Sequence, residues 1–375
     1  MMTGWFRRAR QTRSTVTNRE EAHRQQRRAA CAAYRTLGGI QLAAQLMLWV
    51  TLYAYDRLVQ TTWQAALLLA LPLAGLWVLW RGGESALSSV NGARCTLFLL
   101  PCLILDAAVL LRTLAGYISQ LIPEYPFWAC AVVPAVLCWL ATLLSRENGT
   151  AYGASLFRWL LLGLFLLATI FLNANAHPVR LWPLLGQGPG RTAAEALAGV
   201  GSGWGVALLF ALPLHSRRAA AAPSVGENEA GRTVLWTALP WVMCVIWALW
   251  YAMVRPWRSG DVLDVGERLM GLARHSHSPL LYECSGLLWM LLLPLALTGC
   301  AVSGEKLLRS AAPRVPRSIA ALIPLLPGTV AALVWPDDLL GALGWALPWR
   351  ALLSAAVGGM LWVLSARAGR KVHAG

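Results

Sequence analysis

Leu160-Leu161-Leu162-Gly163-Leu164-Phe165-Leu166-Leu167-Ala168-Thr169-Ile170-Phe171-Leu172 is an unbroken apolar block. It does not alternate apolar and polar residues, as the ~10-residue strands of an outer-membrane barrel do. A lipid-facing segment of this kind satisfies its backbone hydrogen-bonding groups only by coiling into a helix. A hydrocarbon core of ~30 Å takes ~20 mostly apolar residues to cross as helix, and the run 156–176 is that long. Nine more runs share its character: 37–55, 58–80, 95–118, 125–145, 194–214, 233–254, 279–302, 318–336 and 346–366. The reading is an all-α membrane protein with about ten transmembrane helices.

Composition agrees. Of 375 residues 57% are hydrophobic and 13% charged, with 20 Trp, where a soluble domain carries about 25% charged residues. That excludes an ordinary cytosolic enzyme, a disordered chain and a secreted disulfide scaffold. The formal net charge of +15 raises nucleic acid as a partner, and the placement of the charges removes it. With the N-terminus inside, Arg7, Arg8, Arg27 and Arg28 of the first tail fall on the cytoplasmic side. So do Arg146, Arg217, Arg218, Lys306, Arg309, Arg314 and Arg317 of the loops, and Arg367, Arg370 and Lys371 of the last tail. Basic residues favour that side by roughly three to one, so both termini are expected in the cytoplasm. The chain divides into a basic tail (1–36), a ten-span domain (37–366) and a short tail (367–375). The first tail lacks the cleavage site of a signal peptide. It can also touch anionic membrane lipid, at about 1 kcal/mol per basic residue near the surface.

Familiar catalytic and cofactor signatures are missing. None of the eight Cys forms C-x-x-C, and most read as small apolar helix residues. The six His give no H-E-x-x-H. No metal site, cofactor or enzyme activity is expected.

Several residues break the rules of a membrane helix. Gly199-Val200-Gly201-Ser202-Gly203-Trp204-Gly205 lies within the sixth run, and each Gly costs about 1 kcal/mol against Ala in a helix. Two readings stay open. Gly199/Gly203 and Gly201/Gly205 fit close helix packing, or the helix unwinds and frees backbone groups for a solute. Span 1 carries Gly38-Gly39, then Gln41 and Gln45 one turn apart. If the ten spans divide five plus five, spans 1 and 6 correspond, and both enter with a Gly-interrupted segment, the pattern of a transporter's midplane site. Asp106 and Arg112 lie in span 3, where charge is costly and functional by default. Six residues turn a helix by about 240°, so each needs a partner from elsewhere. Arg112 can also snorkel outward. Glu283 opens span 8, where the helix dipole favours a carboxylate. Residues 262–272 read as a short amphipathic helix on the outer surface. Pro72, Pro101, Pro134, Pro240, Pro294, Pro324 and Pro327 fall within spans and are expected to kink them.

Leu181-Trp182-Pro183-Leu184-Leu185-Gly186-Gln187-Gly188, followed by the Gly-rich sixth span, resembles the spore germination permeases of the GerAB type, in the amino-acid/polyamine/organocation permease superfamily. Thr62-Trp63, Val109-Leu110-Leu111-Arg112, Ile122-Pro123-Glu124-Tyr125-Pro126 and Glu283 with Trp289 are similar to that family in order and spacing. The chain departs from it near Ala44, at Trp204 and Gly205, and before Glu283. The resemblance implies a five-plus-five inverted-repeat permease fold with broken helices 1 and 6. It implies a nutrient-germinant receptor subunit in the spore inner membrane, assembled with a second membrane subunit and a lipoprotein.

The expected function is to bind a small nutrient, an amino acid, near the midplane. Gly199, Gly201, Ser202, Gly203, Trp204, Gln41, Gln45 and Asp106 are the expected substrate-binding residues, with Arg112 and Glu283 as further candidates. The rival readings are a cation- or proton-coupled amino-acid transporter and a structural receptor subunit with a degenerate site.

Overall fold

The computed structural model describes residues 32–52, 59–71, 94–145, 149–172, 176–182, 188–199, 228–254, 269–270, 278–334 and 339–373. No strand occurs among them. In chain order the helices are α1 (32–52), α2 (Val59–Leu68), α3 (Leu100–Leu121), α4 (Phe127–Leu144), α5 (Gly149–Leu172), α6 (189–199), α7 (Asn228–Val254), α8 (Pro279–Ala311), α9 (Arg317–Val334) and α10 (Leu339–His373). Five among the described residues are long and apolar enough to cross a membrane: Leu97–Leu121, Phe127–Leu144, Gly149–Leu172, Pro279–Ala311 and Arg317–Val334.

Two corners of the fold are built alike. The turn Ile122-Pro123-Glu124-Tyr125-Pro126 joins α3 to α4, and Ala312-Pro313-Arg314-Val315-Pro316 joins α8 to α9. A residue before proline is kept out of the helical region by the proline ring. Ile122 (φ −134°, ψ 77°) and Ala312 (φ −134°, ψ 83°) obey this in the same way, and both helices stop there. Tyr125 N–H then donates to Ile122 O at 3.2 Å, and Val315 N–H to Ala312 O at 3.1 Å. The likeness continues into the next helices. Pro134 of α4 answers Pro324 of α9, and the buried residues Cys130, Ala131, Ala135, Cys138 and Thr142 answer Ala320, Ala321, Leu325, Gly328 and Ala332.

Packing repeats the correspondence. Helices α2 and α7, α3 and α8, and α4 and α9 touch in pairs; α3 meets α9 as α8 meets α4, and α3 meets α4 as α8 meets α9. These particular contacts map onto one another when each helix is replaced by the one five places away, whereas the contact of α5 with α8 stands outside the repeat. Such a mapping is the signature of a duplicated half.

Glycine sets the closest approaches. A Cβ on Gly328 would stand 2.8 Å from Ala107 Cβ and 3.2 Å from Ala108 N and Ile104 O, so α9 presses directly on α3. Gly188 takes φ +88° and starts α6, its carbonyl accepting from Thr192 N–H at 3.3 Å. Cations close exposed helix ends, where carbonyls lack partners. Arg317 donates to Thr142 O (2.8 Å) and Ser145 O (2.9 Å) at the end of α4, and forms an ion pair with Glu305 of α8 (3.0 Å). Arg180 donates to Val254 O (2.6 Å) at the end of α7.

Several expectations change. α1 runs unbroken through Gly38 and Gly39. Leu37 and Ile40 beside them are buried, and that packing outweighs the glycine cost. Pro101 stands in the first turn of α3, where proline has no hydrogen bond to break, so it starts the helix and does not kink it. Pro134, Pro240, Pro294, Pro324 and Pro327 lie inside helices, whereas Pro72 falls outside the described residues. Of the expected surface helix only Leu269 and Met270 are described, and both are buried.

Candidate functional site

Asp106 and Arg350 meet at the centre of the bundle. Asp106 lies nine residues into the span Leu97–Leu121, about 13 Å from its end at 1.5 Å per residue. It is 0% exposed, and Arg350 of α10 is 5% exposed. An Arg350 Nη2 donates to Asp106 Oδ1 at 2.5 Å. A buried charge needs such a partner, since desolvation costs several kcal/mol per ion even after relaxation.

Other polar groups gather around the pair. Cys102, one turn before Asp106 on α3, is within hydrogen-bonding reach of Arg350 and of Ser354, one turn beyond Arg350 on α10. Cys300 of α8 lies within electrostatic reach of Asp106, Arg350 and Cys138. Gln41 of α1 donates from Nε2 to Cys300 Sγ at 3.2 Å. Its amide fits because residue 299 is glycine: a Cβ there would stand 2.7 Å from Gln41 Oε1. One polar tract thus runs from α1 through α8 to α3 and α10. Gln41 Oε1 and Asp106 Oδ2 are buried with no hydrogen-bond partner among the described residues, and so is Gln45 Nε2 one turn along α1. Gln41 is 0% and Gln45 3% exposed.

The remaining expected residues lie elsewhere or outside the described part. Gly199, at the end of described α6, is buried; a Cβ there would stand 3.1 Å from Leu69 Cδ1 and from Trp49 Cη2. Gly201, Ser202, Gly203 and Trp204 fall outside the described residues, as does any break in span 6. Arg112 donates from Nη1 to Ala332 O at 3.4 Å, in the last turn of α9, and its guanidinium lies 4.4 Å from the centre of the Phe127 ring. It stabilises the α3–α4–α9 corner away from Asp106. Glu283 is exposed near Tyr117, at the opposite end of α8 from Glu305.

Arg350, Cys102, Cys300 and Ser354 are the residues that local reading misses. For Arg350 a signal exists: it is a lone charge in the apolar run 346–366, matching the lone acid of span 3. The two cysteines look like apolar filler until their neighbours are known. Among the described residues no group of three or more His, Cys, Asp and Glu side chains is placed to hold a metal ion.

An all-helical membrane bundle of this kind has a permease-like fold. Solved structures of a manganese transporter from Eremococcus coleocola are similar to this chain in fold. One point mutant is 14% identical, superposes with a TM-score of 0.56, and matches over 89% of this chain and 78% of that one. Another is 13% identical with a TM-score of 0.54, over 90% and 77%. At this identity the likeness is one of fold. No family model and no curated protein sequence matches the chain.

Proposed function

We propose that this protein is the permease-like membrane subunit of a spore nutrient-germinant receptor, and that it binds a small nutrient, an amino acid, near the bilayer midplane. The observation that carries the ligand is the buried tract of Gln41, Asp106, Cys300 and Arg350, with acceptor atoms left unpartnered inside the bundle. Buried polar groups are hydrogen-bonded in the great majority of proteins, so atoms of this kind suit a polar solute. Gln45 lies on the same line of α1, and Gly201, Ser202, Gly203 and Trp204 would complete the wall from span 6. The receptor role is supported by the permease fold together with the Leu181 to Gly188 resemblance. It brings a second membrane subunit and a lipoprotein as partners, and the spore inner membrane as the location. The basic tails support cytoplasmic termini.

The second reading is a coupled transporter, favoured by the fold shared with the manganese transporter. Proteoliposomes separate the two. A receptor subunit binds labelled amino acid without accumulating it, and spores lacking the gene lose germination on amino acids. Gradient-driven uptake of an amino acid would establish transport, and uptake of Mn²⁺ would establish a metal substrate. Gly201→Leu is expected to abolish the ligand response while the protein still inserts; a normal response would remove span 6 from the site.

A further inference from the structure

We propose that Asp106 and Arg350 grip the two charged ends of a zwitterion, so that the site takes free α-amino acids and rejects relatives lacking either charge. This rests on the nutrient-binding reading above. An ion pair in a dry interior is a poor structural device: apolar residues of similar volume often hold a fold as well or better. Here it joins α3 to α10, and its surroundings are unbalanced. Asp106 uses one oxygen on Arg350 and leaves Oδ2 with no partner among the described residues. Gln41 Oε1 is in the same condition. Two buried acceptors thus lack a donor in one tract, and an ammonium group brings three donors at once. On the other side, the planar Arg350 fork matches a carboxylate through two parallel hydrogen bonds.

The charge balance favours a molecule carrying both groups. A zwitterion is neutral overall, so its entry adds no net charge to the low-dielectric centre. Arg350 exchanges the Asp106 carboxylate for that of the ligand, and Asp106 takes the ligand ammonium together with Gln41 Oε1. A simple amine would leave Arg350 competing for Asp106, and a simple carboxylate would leave Asp106 stranded. Stranding one member of a buried charge pair weakens binding by about a hundredfold or more.

The test uses the purified full chain in detergent and a panel of radiolabelled L-amino acids. The tightest binder is then compared with its decarboxylated amine and its N-acetyl derivative. Wild type is expected to bind the amino acid at least about a hundredfold more tightly than either derivative. Asp106→Asn combined with Arg350→Gln removes both charges without stranding one. It is expected to stay monodisperse and to lose the amino acid by a similar factor. Arg350→Lys keeps Asp106 paired and guards against a double variant that fails to fold. It is expected to weaken the amino acid about tenfold and leave the amine unchanged, which a purely structural role would not do. Unaltered binding by a folded double variant, or an equal loss for amino acid and amine in Arg350→Lys, overturns the assignment alone. A wild-type chain that binds none of the panel overturns both the nutrient reading and this one.

Discussion

A carboxylate drawn out of water into hydrocarbon keeps its charge only beside a partner, and Asp106 has Arg350. Removing one member strands the other, at a cost of about 3–5 kcal/mol. Arg350→Ala is therefore expected to lower the Tm in detergent by more than the double change Asp106→Asn with Arg350→Gln. Thermal melting of the three variants and wild type checks the order, and additive losses would show that the two side chains do not couple. Gly299 gives a second prediction. A Cβ there meets Gln41 Oε1 at 2.7 Å, so Gly299→Ala displaces the amide from Cys300 and weakens ligand binding about tenfold, roughly the loss of one buried hydrogen bond. Gly359→Ala, with nothing within 4 Å, is the matched control and is expected to bind as wild type. At this scale the sequence shows Asp106, Gln41 and Gln45 as misfits in apolar runs. It does not pair Asp106 with Arg350, because 244 positions separate them and periodicity reports only neighbours within one helix.

Helices are legible in the apolar runs because lipid leaves their backbone no alternative. The runs at 125–145 and 318–336 differ from α4 and α9 by two residues or fewer at each end. Where an element stops is harder to read, and the two Pro-x-x-Pro corners show why. Each proline acts on the residue before it, a local effect. The duplication, in contrast, emerges only when residues 122–144 are set beside 312–334. Span 1 shows the opposite case: its paired glycines suggest an interruption, and packing of Leu37 and Ile40 keeps the helix whole. Two variants probe the corners. Gly328→Leu forces a side chain against Ala108 N and Ile104 O, backbone atoms that cannot turn aside, and should destabilise the chain by about 3 kcal/mol. Arg317→Met removes the donors to Thr142 O and Ser145 O and the contact with Glu305, at about 2 kcal/mol. Melting in detergent reads both, and an unchanged Tm would show that the corner does not depend on that contact.

Across the whole molecule the outward surface is oily. Val133, Leu137, Leu140 and Leu144 of α4 and Leu156, Trp159, Leu160, Leu166 and Ile170 of α5 are exposed. A patch of that size in water would drive association, whereas lipid tails meet it at no cost. The ten crossings expected from the apolar runs would put both ends of the chain on one side. Reporters that fluoresce only in the cytoplasm should therefore light up when fused at either terminus, and a dark C-terminal fusion would remove one crossing from the count. The twin proline corners bear on biosynthesis as well. Each bend is written into its own few residues, so it forms while the ribosome is still making the chain, before any distant segment exists to brace it. The α3–α4 and α8–α9 hairpins can then enter the bilayer as ready-made wedges, and a later step of assembly is the meeting of two finished pieces at a seam where Asp106 waits for a partner that the ribosome adds 244 residues on.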